Sequence, residues 1–172
     1  PAQGPKLGEN FYATTQESTR RQFAGVMPHG ETHINAVIML NFYYLREFER
    51  FREYVDAATD PVPEIDDLGF TDVESNDDLL ELLDAYQTCL TYTISKRDKN
   101  RYRNSMDGQI AGYLGDLGLP KPRIEELTGD TPFDEVETIL DGLENPPADP
   151  TERTNVIAAT NMISHGVDID RL

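Results

Sequence analysis

Residues 154–172, TNVIAATNMISHGVDIDRL, decide the reading of the fold. Asn155-Val156-Ile157-Ala158-Ala159-Thr160 is short, largely apolar and partly β-branched, the composition of a buried strand. The pattern then breaks into Asn161-Met162-Ile163-Ser164-His165-Gly166 and runs on to Asp168 and Asp170. An open α/β sheet presents its ligand outside the carboxyl ends of its strands. An apolar strand ending in Thr-Asn and a Gly-bearing turn is laid out for that purpose. The bland alternatives are a strand-end hydroxyl at Thr160 that bonds its own backbone, and surface acids at Asp168 and Asp170.

Upstream of this strand lies a Pro-rich loop, 145–153, preceded by a helix that runs to about residue 143. Thr131 is placed to cap that helix, with Pro132 at its first position and Asp134 and Glu135 in its first turn. Residues 123–127 form a short strand. Ser95 is placed to cap a helix over 96–117, which Gly108, Gly112 and Gly115 mark for a break and Gly118-Leu119-Pro120 closes. Residues 88–94, TCLTYTI, are dense in β-branched and aromatic types and form a further strand. From Gln87 the order is therefore strand, helix, strand, helix, strand. Such alternation implies an α/β fold with a parallel sheet and right-handed crossovers. All three strand ends then meet at one edge: Ser95 with Lys96 and Arg97, Thr128 with Gly129, and Thr160 with Asn161. Each set carries a hydroxyl at or near a strand-to-helix turn, where backbone N–H groups bind anions. Three such turns in a row fit a phosphate backbone.

The segment before Gln87 reads differently. Residues 1–10 carry Pro and Gly and are read as frayed, and the absence of an initial Met suggests an excised piece. Met27-Pro28-His29-Gly30 is a turn signal. Residues 32–58 lack Gly and Pro, and their apolar residues, Ile34, Val37, Ile38, Leu40, Phe42, Tyr44, Leu45, Phe48, Phe51 and Val55 among them, recur at spacings of three and four around much of the girth. That pattern predicts one long helix capped by Thr32; a strand over 36–40 followed by a helix is the alternative. An acidic loop follows, then a short helix over 77–86 with Leu79, Leu80, Leu82 and Leu83 on its apolar face. The predicted organisation is a helical N-terminal segment, 1–86, with an acidic insert at 56–84, and a partial α/β domain, 87–172.

The net charge is −17, with 15 Lys and Arg against 32 Asp and Glu. Eleven of the acids lie in 56–84, and no base occurs between Arg52 and Lys96. Such a surface repels nucleic acid at long range. Residues 96–103, KRDKNRYR, oppose that field locally with five bases and one acid; a solvated helix face is the plain alternative. Acid excess with scarce Lys points to a salt-loving host, in which salt screens the self-repulsion, or else to an acidic loop inserted into an ordinary protein. The single cysteine, Cys89, excludes a disulfide framework and a cysteine-rich zinc site, and reads as a small buried apolar residue. His29 and His33 lack partners at metal-ligand spacing and read as polar packing. Asp66-Asp67 and Asp77-Asp78 lack the pattern of a calcium loop and read as solvated acid. No apolar run approaches the roughly 18 residues that span a bilayer and no signal peptide is visible, so the chain reads as soluble and cytoplasmic, with no membrane partner.

Residues 157–168, IAATNMISHGVD, resemble motif V of superfamily 2 helicases, in the second RecA-like domain. Residues 90–97, LTYTISKR, resemble the motif IV strand and the turn after it, and 126–132, ELTGDTP, the Thr-Gly segment between them. The order and spacing match over about half the chain. Among these helicases, the Thr-Asn-Met-Ile-Ser run is similar to the large helicases of DISARM anti-phage defence systems. Residues 11–16, FYATTQ, and 28–36, PHGETHINA, are also similar to stretches of those proteins upstream of motif IV. The resemblance implies a parent enzyme that uses ATP and magnesium to move along nucleic acid, with DNA ahead of RNA, partnered by the first RecA-like domain of the same parent chain. It implies that Thr160, with Asn161, contacts a phosphate of the bound strand. Thr128 and Gly129 would help grip the backbone, and Ser95 and Arg97 would approach the same strand. Gly166 and Asp168 would face the nucleotide cleft. His165 stands where many relatives carry Arg, which puts its role in doubt. The sequence holds no Gly-x-x-x-x-Gly-Lys-Ser/Thr loop and stops short of motif VI, so the piece is expected to be inactive alone, with no catalytic residue and no metal ligand of its own. The alternatives are a nucleic-acid-binding remnant without ATPase activity and a non-catalytic acidic module for protein interaction.

Overall fold

The computed structural model describes residues 25–26, 29–63, 65 and 73–160. Thr32 opens α1 (His33–Ala57), its hydroxyl accepting from the Asn35 N–H. The 32–58 stretch is thus one long helix, and the strand alternative falls. Ser75 opens α2 (Asn76–Tyr86) with a full capping box: its side chain accepts from the Asp78 N–H while the Asp78 carboxylate accepts from the Ser75 N–H. Between these helices the Asn76 side chain gathers the acidic loop. Its amide donates to the carbonyls of Ala58 and Asp60, and its oxygen accepts from the Val62 N–H.

Three strands follow: β1 (Cys89–Tyr92), β2 (Ile124–Leu127) and β3 (Val156–Ala159). They form one parallel sheet in the order β1-β3-β2, so the third strand of the chain is the central one. The register is flush: Tyr92, Ala159 and Leu127 lie side by side at the carboxyl ends. β3 reads VIAA because both its faces are covered; all four residues are fully buried. The fold class is mixed α/β, a small parallel sheet with flanking helices, consistent with part of a RecA-like domain.

One face of the sheet carries the larger core. Val156 and Ala158 of β3 and Ile124 of β2 pack there against Ile38, Phe42 and Leu45 of α1 and against Tyr102, Met106, Ile110 and Leu114. On the opposite face Ile157 and Leu127 meet Ile139 and Leu143 of α5 (Phe133–Glu144). A satellite cluster, Val55, Val62, Ile65, Val73 and Leu79, holds the far end of α1 to α2 and the loop.

The helix predicted over 96–117 is interrupted. α3 (Lys96–Ser105) leads into a π turn (Met106–Ile110), and α4 (Ala111–Asp116) follows. The cause lies in the core. Tyr102, Met106, Ile110 and Leu114 recur every fourth residue, and all are buried. In an α-helix each such step drifts about 40° around the axis. The wider π turn takes up that drift and keeps all four side chains on the sheet. Gly118, at φ 76, ends the segment as predicted. Its N–H donates to Gly115 and the Leu119 N–H to Leu114, the paired bonds of a Schellman motif.

At the start of α5 the structure corrects the sequence. Pro132, not Thr131, is the cap position, and no side chain caps the helix. The Thr131 hydroxyl instead accepts from the Thr128 N–H at 2.9 Å and donates to the Glu126 carbonyl at 3.2 Å. It staples the turn after β2.

Candidate nucleic-acid interface

The carboxyl edge of the sheet is locked by its own backbone. The Thr93 N–H donates to Ala159 at 2.8 Å, and the Thr160 N–H donates to Leu127 at 3.1 Å. Ends that are distant in sequence are thereby fixed beside one another. A salt bridge between Lys96 and Asp130 ties the turn after β1 to the turn after β2. The Lys96 ammonium also holds the Asp130 carboxyl below the usual carboxylate range. Ser95, Thr128 and Thr160 therefore sit at three strand ends on one edge, as predicted.

The three hydroxyls differ in how they are used. Ser95 Oγ accepts from the Asp98 N–H at 3.1 Å and donates to the Asp98 carboxylate at 2.7 Å, so its proton is committed to capping α3. Thr128 Oγ1 accepts from the Asp130 N–H and lies 3.2 Å from Thr131 Oγ1. With the Thr131 proton directed to Glu126, the proton between the two threonines comes from Thr128. The hydroxyls of Ser95 and Thr128 thus build turns. Thr160 alone of the three makes no side-chain hydrogen bond among the described residues, and it is 8% exposed. Gly129 is exposed at the tip of its turn. Asn161, His165, Gly166 and Asp168 lie outside the described residues.

The basic cluster is mostly neutralised inside the fold. Lys99 pairs with Glu126, and Arg103 pairs with Asp107 at 2.6 Å and with Glu126 at 3.7 Å. Glu126 and Asp130, residues that sequence reasoning passed over, are what absorb these charges. Their pairing with the 96–103 bases joins a helix to a strand and the turn after it, a contact between elements that a single linear pattern does not display. Arg97 is exposed and makes no ion pair among the described residues. Cys89 is half-buried, and burial pushes its thiol up, away from the thiolate that reactivity needs. No group of three or more His, Cys, Asp and Glu among the described residues is placed to hold a metal ion, His29 and His33 included. No helix among them is long and apolar enough to cross a membrane.

A small parallel sheet with flanking helices and hydroxyl-bearing turns along one carboxyl edge places the chain among mixed α/β folds. The chain is 28% identical, over 184 aligned positions, to the DISARM protein DrmA of Bacillus paralicheniformis. That alignment spans 100% of this chain and 14% of the length of that protein. No family model matches the chain, and no solved structure matches it.

Proposed function

We propose that this chain is part of the second RecA-like domain of an ATP-dependent superfamily 2 helicase that acts on nucleic acid, DNA ahead of RNA, in phage defence. The observation that carries the reading is the flush set of strand ends, where Thr160 alone makes no side-chain hydrogen bond among the described residues and the other two hydroxyls are structural. Similarity to a DISARM protein over the full chain supports the setting. In this reading Thr160 donates to a phosphate of the bound strand. Gly129 allows that strand close to the turn after β2, and Arg97 supplies charge. Ser95 and Thr128 act as positioning residues, fixing the two turns on either side. Asn161 extends the Thr160 contact, and Gly166 and Asp168 face the nucleotide. ATP and magnesium supply the energy of strand movement in the parent enzyme, between this domain and the first RecA-like domain. The described residues offer no donor set for magnesium.

The test is fluorescence anisotropy with a labelled single-stranded oligonucleotide. Thr160→Val keeps the β-branched shape and removes the donor. Hydrogen bonds to charged groups contribute about 1.5–3 kcal/mol, so affinity should fall roughly tenfold or more with the melting temperature unchanged. Equal binding by the variant would sink the assignment of Thr160. A second reading, an acidic interaction module that binds no nucleic acid, is favoured by the internal pairing of Lys96, Lys99 and Arg103. It predicts no binding with or without Thr160.

A further inference from the structure

Beside the sheet edge a groove of about 580 Å³ opens between the first turns of α1 and α3, lined by His33, Ile34, Val37, Ile94, Arg97 and Arg101 among others. A second hollow of about 550 Å³ shares Arg101 with it and reaches Asn35 and Gln109. The charges in this seam differ from those of the rest of the basic cluster. Lys96, Lys99 and Arg103 all end on carboxylates. Arg97 has no ion pair among the described residues, and the Arg101 guanidinium donates to a neutral group, Asn35 Oδ1, at 3.0 Å. Two acids also line these hollows and accept from neutral donors: Asp98 from the Ser95 hydroxyl at 2.7 Å, and Glu31 from the Asn35 amide at 2.8 Å; neither pairs with Arg97 or Arg101.

Arg97 and Arg101 are four residues apart on one helix, about 6 Å along its axis. That is close to the separation of neighbouring phosphates along one strand. Against this cationic pair stands apolar wall. Ile94 is 84% exposed, and Ile34 and Val37 are only partly covered. Single strands are held by charge that follows the backbone together with a surface that takes unstacked bases; aromatic rings stack them, and an aliphatic wall gives a base face apolar contact. A duplex keeps its base faces stacked and leaves such a wall bare.

We propose that the α1–α3 seam is a track for single-stranded nucleic acid, with Arg97 and Arg101 on successive phosphates and bases against Ile94. This rests on the nucleic-acid reading above and adds the strand class and the path away from the sheet edge. The chain is titrated with a labelled oligothymidylate of about 12 nucleotides, and with a duplex of the same length, at several salt concentrations. Arg97→Gln and Arg101→Gln should each weaken single-strand binding severalfold and lower the slope of log affinity against log salt by about 0.7. Arg101→Lys, which keeps the charge, should restore the slope, separating phosphate contact from loss of the Asn35 bond. Arg50→Gln, which removes an exposed charge from α1 away from the seam, should change neither. An unchanged slope in Arg101→Gln, with binding intact, overturns the track and leaves the sheet-edge reading standing. Duplex bound as tightly as single strand overturns the strand class. No binding to either probe overturns the nucleic-acid reading and the track with it.

Discussion

Thr91 stands where three elements meet. Its hydroxyl lies 3.1 Å from Asn41 Oδ1 on α1 and 3.2 Å from the Tyr102 hydroxyl on α3. The Asn41 amide in turn donates to the Val37 carbonyl at 3.0 Å. All three residues are buried, and burial pushes the Tyr102 phenol well up from its ordinary value. Thr91→Val keeps the volume and strands two buried polar partners. It should cost about 2–3 kcal/mol, read as a lower urea midpoint at unchanged slope. A midpoint shift under about 0.5 kcal/mol would mean that the partners rearrange or reach water. At this scale the sequence yielded what is local. Ser95 was legible as a cap because its partner is three residues on. Thr131 was misassigned because a hydroxyl at a turn can serve either the helix ahead or the strand behind, and only the path of the chain decides. The difference between Thr160 and Thr128 was invisible for the same reason: it depends on whether a neighbour already holds the proton.

The interrupted helix from Lys96 to Asp116 carries the lesson at the scale of elements. Its glycines announced a break, and a break is there, but its form follows from the four-residue recurrence of buried side chains rather than from glycine itself. A Cβ added at Gly112 would meet nothing within 4 Å, and its backbone is helical. Gly112→Ala should therefore stabilise the fold by about 0.5–1 kcal/mol. Gly118→Ala has the same open surroundings but stands at φ 76, and should destabilise by about 1 kcal/mol or more. Thermal melting of the two variants checks the pair; equal shifts in the same direction would refute the conformational distinction. β1 and β3 were legible as elements because their residues are largely apolar, aromatic or β-branched. Their order was not, since β1-β3-β2 and β1-β2-β3 present the same alternation of strand and helix.

The molecule as a whole carries −17, and 11 of its 32 acids lie in residues 56–84. Among the described residues the ion pairs lie on α1 and around α3, β2 and the approach to β3, and acids outnumber the bases available to pair with them. Raising potassium chloride from about 0.1 to about 1 M shortens the Debye length from about 10 to about 3 Å. The melting temperature should rise by on the order of 5 °C as repulsion is screened. A flat or falling response, followed by scanning calorimetry, would show that repulsion is not what limits stability. Charge was the one whole-molecule property read correctly from composition, because it is a sum and needs no geometry.

The place of β3 has a consequence for synthesis. β1 and β2 each bond to β3 and not to each other. A growing chain emerges with both outer strands made and the wedge between them missing. Among the described strands no ladder can form until Val156–Ala159 clears the ribosome, and both ladders can then form together. A message cut short anywhere between the codons for Leu127 and Val156 yields two open strand edges and no sheet, a product prone to pair with other chains. Folding of this sheet therefore turns on four residues that are made after both of their partners.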